Sequence, residues 1–132
     1  MFEDGELREC GQIEFVTDRK GSNEGVIQWP LIDELIYRVS PDKVVMEDYR
    51  VYQHKLDRHS YSPVLTLRII GALEFICCME DIPLYSQMAA TAKGFATDKK
   101  LKDWGFFEKA QRHSRDSIRH AIYFMLFNKE AK

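Results

Sequence analysis

Cysteine is scarce in this chain, and a disulfide scaffold is excluded. The 132 residues hold three cysteines, Cys10, Cys77 and Cys78, two of them adjacent. An odd count with a neighbouring pair suits neither a disulfide framework nor zinc-ligand spacing, and it fits a reducing, cytoplasmic compartment. Long apolar runs are also missing. None approaches the ~20 residues that cross a bilayer, and the N-terminus is acidic where a secretory signal would be basic. No membrane partner is expected. Charge of one sign is lacking too: the formal net charge is -2, so any nucleic-acid-binding surface has to be local. There is no internal repeat and no low-complexity segment.

What is present is the composition of an ordered globular protein, 45% apolar and 30% charged. The length suits a single domain, 1–132, with one core. Asp4-Gly5 is a hairpin signal, with only Met1-Phe2-Glu3 before it and a partly alternating stretch, Leu7 to Val16, after it. Thr17 to Gly25 reads as a polar loop. Apolar residues at helical spacing predict a helix over Val26–Val39, which Pro30 either starts or kinks. Ser40-Pro41-Asp42 ends it.

The next stretch, Lys43 to Tyr49, is a short apolar strand running into two carboxylates, Glu47 and Asp48. An acid at the carboxyl end of a buried strand lies where open α/β sheets place their sites. The plainer alternative is that both acids mark where the strand meets water. Arg50 to Tyr61 is aromatic and basic and reads as the loop leaving that edge, functional or merely connecting. Ser62-Pro63 opens a helix that runs to about Glu80. Gly71 inside it signals either a close approach or a tolerated glycine. Ile82–Met88 is a short strand, Ala89–Thr97 a small-residue connector carrying Lys93, and Asp98–Phe107 a short helix stopped by Gly105. The last helix spans about Ser114–Phe127, with Asp116 in its first turn.

His113 stands just before that helix, and if the helix takes it in, His113, Asp116 and His120 share one face. Asp116 also suits the helix dipole, and His120 suits packing. Positive charge collects nearby. From Lys93 to Arg119 there are eight basic residues, Lys93, Lys99, Lys100, Lys102, Lys109, Arg112, Arg115 and Arg119, against four acids, whereas Met1–Glu14 has five acids against one arginine. A basic half around a carboxylate helix suits a polyanionic substrate, or it is a solvated amphipathic surface.

The order of these pieces resembles the RuvC-like Holliday-junction resolvases of the RNase H-like superfamily, especially the small phage-type members. The resemblance rests on the acidic hairpin, Val44-Val45-Met46-Glu47-Asp48, the Ser62-Pro63 helix with Ile70-Gly71-Ala72-Leu73, the lysine-rich segment, and His113-Ser114-Arg115-Asp116-Ser117-Ile118-Arg119-His120-Ala121. It covers the chain from Phe2 onward. It implies an α/β fold: an RNase H-like, RuvC-type mixed sheet flanked by helices. It also implies a nuclease that cuts branched DNA in recombination with two magnesium (or manganese) ions, about 3.5–4 Å apart in such sites, and works as a homodimer. By position, Glu47 and Asp116 match the family's metal-ligand carboxylates, His113 a histidine of the same site, and Lys93 a lysine of the basic segment. Lys99, Lys100, Lys102, Arg112 and Arg115 are the expected DNA contacts. The family's first strand, which ends in an aspartate, is expected upstream of Phe2, so the fold is N-terminally incomplete and its sheet is expected to rearrange or pair across a dimer. Asp4, a turn residue, is not its substitute. The alternative reading is a non-catalytic module that binds nucleic acid or a protein and keeps part of the site.

Overall fold

The computed structural model describes residues 1–18, 25–49, 62–107 and 111–129. The aromatic and basic loop expected at Arg50 to Tyr61, and Lys109, lie outside them. The class is mixed α/β, with five helices and six short strands among the described residues. Among the described residues the strands form three separate pairs and not one continuous sheet. The chain divides into two compact units, one made of Met1–Ile13, Val45–Asp48 and Tyr85–Lys132, the other of Glu14–Val44 and Tyr49–Leu84.

The first unit opens with the antiparallel hairpin β1 (Phe2–Glu3) and β2 (Glu6–Leu7). Asp4 and Gly5 both take positive φ, 51° and 80°, as the tight two-residue turn requires. Arg8 then pairs with Glu3 at 3.2 Å and with Glu6 at 3.0 Å. Strands β5 (Val44–Glu47) and β6 (Leu84–Gln87) pair with each other. The Val44 N–H donates to the Pro83 carbonyl and the Asp48 N–H to that of Gln87, at 2.9 and 2.7 Å. Four residues of advance on each strand make the pair parallel.

Three helices follow: α3 (Ala89–Phe95), α4 (Asp98–Asp103) and α5 (Arg112–Phe127). The segment read from sequence as a small-residue connector is therefore helical. Ala92 and Ala96 are fully buried, and small side chains let α3 lie close against α5. Thr97 caps α4, its hydroxyl accepting from the Lys100 N–H, and Gly105, at φ 74°, ends that turn as expected. Ala96, Leu101, Ile118 and Ile122 form the core of the unit, with Phe2, Leu7 and Phe106 packed around them. Burying Leu101 alone contributes about 2 kcal/mol. Helix α5 begins at Arg112, so Asp116 sits in its second turn, beyond reach of the strongest dipole effect expected from a first-turn acid.

The second unit pairs β3 (Val16–Asp18) with β4 (Gly25–Ile27) antiparallel, Val16 facing Ile27. Gly25 and Val26 are thus strand, where sequence placed a loop and a helix start. A side chain at Gly25 would collide with Val16 and sit 3.0 Å from Leu65, so the pairing needs glycine there. Helix α1 (Trp29–Val39) has Pro30 in its first turn, where no N–H is needed, and buries Ile32 and Ile36. Ser40 ends it in the left-handed conformation, and Pro41 cannot continue it. Helix α2 (Ser62–Met79) packs on α1 and on β4. It closes with Asp81 at φ 55° and the Ile82 N–H donating to the Cys77 carbonyl at 2.8 Å. Among the described residues Gly71 has no neighbour within 4 Å of where a Cβ would stand, so none of them approaches it closely.

Candidate active site

The candidate site is a chain of charged groups inside the first unit. Strand β5 delivers Glu47 at its last position, with the side chain 43% exposed. Helix α5 delivers Asp116 and, one turn later, His120. Helix α3 delivers Lys93. Its ammonium stands between the two carboxylates, 3.6 Å from Glu47 Oε2 and 3.2 Å from Asp116 Oδ2. The two acids expected to act together, far apart in sequence, therefore face one cation.

Each acid also has a second partner that orients it. His120 Nε2 lies 3.4 Å from Glu47 Oε2, and its Nδ1 lies 3.3 Å from Gln87 Oε1 at the end of β6. Asp116 Oδ1 accepts from a terminal nitrogen of Arg119 at 2.6 Å. The same guanidinium donates to the Ala96 carbonyl at 2.8 Å and to Asp98. Arg119 is 8% exposed and satisfied on every side. It is the structural tie between α5, the end of α3 and the start of α4, and so is not available to a phosphate.

Burial and charge act on the two titrating groups in opposite senses. Partial burial works to raise the Asp116 pKa, but the neighbouring Lys93 ammonium and Arg119 guanidinium outweigh it and hold the carboxyl below its ordinary range. For His120, loss of solvent dominates and pushes the pKa down, with Glu47 only partly restoring it. At neutral pH Asp116 is ionised and His120 is uncharged.

His113 is exposed on α5, and the structure does not bring it to the pair; His120 occupies the place beside Glu47. Starting α5 at Arg112 puts His113 in the first turn, on the solvent side. Sequence reasoning placed His120 on the face of Asp116 but read it as a packing residue, and it passed over Gln87. A histidine four residues after Asp116 on the same face was the available signal. Asp48 follows the strand, and its N–H is bound to Gln87. Asp4 stays in its hairpin turn.

The expected DNA-contacting cations fall into three groups. Lys93 belongs to the carboxylate pair. Lys99 and Arg112 are exposed. Lys100, Lys102 and Arg115 lie over aromatic rings: Lys100 4.0 Å from Phe95, and Lys102 and Arg115 4.6 and 4.2 Å from Phe107.

No group of three His, Cys, Asp or Glu side chains among the described residues is arranged to hold a metal ion. The donor chemistry nevertheless suits magnesium, which binds through one or two carboxylates and completes its shell with water and substrate oxygens. Glu47 and Asp116 are such a pair, already gathered around a positive charge. No helix among the described residues is long and apolar enough to cross a membrane. Compared with protein-family models, with curated proteins and with solved structures, the chain matches none.

Proposed function

We propose that this chain is a metal-dependent endonuclease of the RuvC-like, RNase H-like type that cleaves phosphodiesters in branched DNA. The observation that carries the reading is the meeting of Glu47 and Asp116 at one cation, Lys93. Strand-borne and helix-borne acids brought to one point are what a hard divalent ion needs if it is to meet a phosphate oxygen. Glu47 and Asp116 would hold magnesium or manganese. That ion supplies Lewis acidity and a nucleophilic water when bound. His120, uncharged, steers Glu47 without adding a competing positive charge. Arg119 fixes the outer oxygen of Asp116, so the inner one faces Lys93. Lys93 offsets one of the two negative charges and is placed to meet a non-bridging phosphate oxygen. The exposed Lys99 and Arg112 and the ring-supported Lys100, Lys102 and Arg115 supply the sequence-independent attraction to the DNA backbone. A reducing, cytoplasmic setting goes with this reading.

The test is cleavage of a labelled four-way junction in magnesium or manganese. Glu47→Gln and Asp116→Asn are expected to lower the rate at least about a hundredfold while the junction still binds. Equal, negligible cleavage by the unaltered protein and both variants would remove the catalytic reading.

One observation favours a second reading. Lys93 already compensates both acids, as a structural ion pair would. On that reading the chain binds nucleic acid without cutting it, and junction binding by the unaltered protein with no cleavage in magnesium or manganese is its signature.

A further inference from the structure

In the first unit the C-terminal ends of α3, α4 and α5 bring four aromatic rings together. Phe95 is the ring they share. Its centroid lies 4.8 Å from that of Phe127, 6.0 Å from Tyr123 and 6.2 Å from Trp104. Phe127 and Tyr123 stand edge to face with it, at 86° and 70°, and touch each other as well, with centroids 4.8 Å apart. None of the four rings is fully buried, and the outer two are wet: Trp104 is 41% exposed and Phe127 55%.

A cation already lies on this group. Lys100 Nζ is 4.0 Å from the centre of Phe95 and 6.0 Å from that of Trp104. Helix α4 adds the exposed Lys99 and Lys102, against Asp98 and Asp103, and Asp98 is engaged by Arg119. The charge around the rings is therefore positive. Like charge turns away a second cation, so the rings are not a cage for an ammonium ligand. What suits both features is one molecule with a flat aromatic face and a negative charge. A nucleotide has both: its base stacks on a ring and its phosphate meets lysine. Inside a duplex the faces of the bases are covered by their neighbours, so the fit is to a base that is unpaired or turned out.

We propose that Trp104 and Phe127, backed by Phe95 and Tyr123, form a stacking platform for unpaired bases of a nucleic-acid strand, with Lys100 at its phosphates. The platform rests on the nucleic-acid-binding reading above and not on cleavage. Phe95 and Lys93 lie two residues apart at the end of α3, so the platform and the carboxylate pair belong to the same unit. Lysines alone attract any DNA backbone; the rings add a preference for strands whose bases are open.

The experiment compares binding of a labelled oligothymidylate and of a duplex of equal length to the full chain, by fluorescence anisotropy in EDTA, with circular dichroism confirming that each variant folds. Trp104→Ala and Phe127→Ala are each expected to weaken oligothymidylate binding about tenfold and to leave duplex binding unchanged. Trp104→Phe, which keeps a ring, is expected to retain most of the affinity. The chain has two tryptophans, so in Trp29→Phe the emission comes from Trp104 alone, and oligothymidylate is expected to quench it. Ring variants that bind oligothymidylate as the unaltered protein does, or that lose both probes alike, would overturn the platform and leave the nuclease reading standing. Unquenched Trp104 emission with bound oligothymidylate would do the same. If the unaltered protein binds neither probe, the nucleic-acid reading falls and the platform with it. Binding instead to vesicles of equal phosphatidylserine and phosphatidylcholine would then make the rings a membrane contact.

Discussion

Helices α5 and α2 assign burial in opposite ways. The first half of α5 is polar, yet it buries Ser114, Arg119 and His120. Helix α2 is apolar through most of its length, yet it leaves Val64, Leu67, Phe75 and Met79 in water. Hydropathy alone would reverse both. On α5 each buried polar group has a dedicated partner: Ser114 Oγ donates to the Gly11 carbonyl at 2.7 Å, Arg119 has its carbonyl and two acids, and His120 has Glu47 and Gln87. No buried side-chain polar atom among the described residues lacks a partner. Where a fold spends its interior on polar contacts, geometry at those contacts is what the helix specifies. Where it spends its surface on apolar residues, contact with another surface is what it specifies.

This contrast can be broken by experiment. The largest effect is expected on α5. Arg119→Ala leaves the Ala96 carbonyl and the Oδ1 atoms of Asp116 and Asp98 without that donor, and should lower the unfolding free energy by about 3 kcal/mol in urea titration. A loss below ~1 kcal/mol would mean that Arg119 is an ordinary surface charge. Leu101→Ala, at the centre of the same unit, should cost a similar ~3 kcal/mol. The equality is itself informative, since it places a buried guanidinium on a par with a core leucine.

A smaller effect is expected from pH. His120 has a folded-state pKa below its unfolded value, so between the two the unfolded chain binds more protons. Stability should therefore fall as the pH drops through about 6.5, the unfolded value, and stop falling below the folded one. His120→Gln should flatten this part of the melting-temperature profile. Asp116 acts lower down. Its depressed pKa gives stability that is present above the ordinary carboxyl range and lost as the pH falls through the folded value. Asp116→Asn should remove that acid limb and leave the histidine limb intact. The smallest effect is expected on α2: Phe75→Ser should change stability by no more than about 0.5 kcal/mol. A large loss there would show that the stripe is packed against the chain itself.

Much of this architecture was legible in the residues. The Asp4-Gly5 turn, the strand ending in Glu47, the Ser62-Pro63 helix start and the final helix all announce themselves through local chemistry: positive-φ residues, β-branched runs, caps and apolar spacing. Elements that packing alone defines did not. Helix α3 opens with Ala89, Ala90, Thr91 and Ala92, whose small side chains carry no apolar period, and its place is set by packing against α5. Strand β4 is three residues long, too short to show alternation, and it depends on Gly25 fitting against Val16 and Leu65. The site divides in the same way. Glu47 and Asp116 were visible because their elements were. Arg119, counted among surface cations, is buried because α3 and α4 fold over it, and that is a matter of tertiary neighbours.

The pair His120 and Gln87 has one more consequence. A neutral imidazole carries a single ring proton, while His120 has an oxygen on each side. An ionised carboxylate only accepts, so the proton belongs on Nε2, toward Glu47. Nδ1 is then a lone pair, satisfied when the Gln87 amide turns its nitrogen inward. Rotation of one neutral amide on β6 thus sets which tautomer the ring adopts, and the tautomer sets whether Glu47 is gripped or released. Replacing Gln87 by glutamate removes the donor from that side. The ring must then either take a second proton or surrender the one that faces Glu47, and its nitrogen chemical shifts would report which.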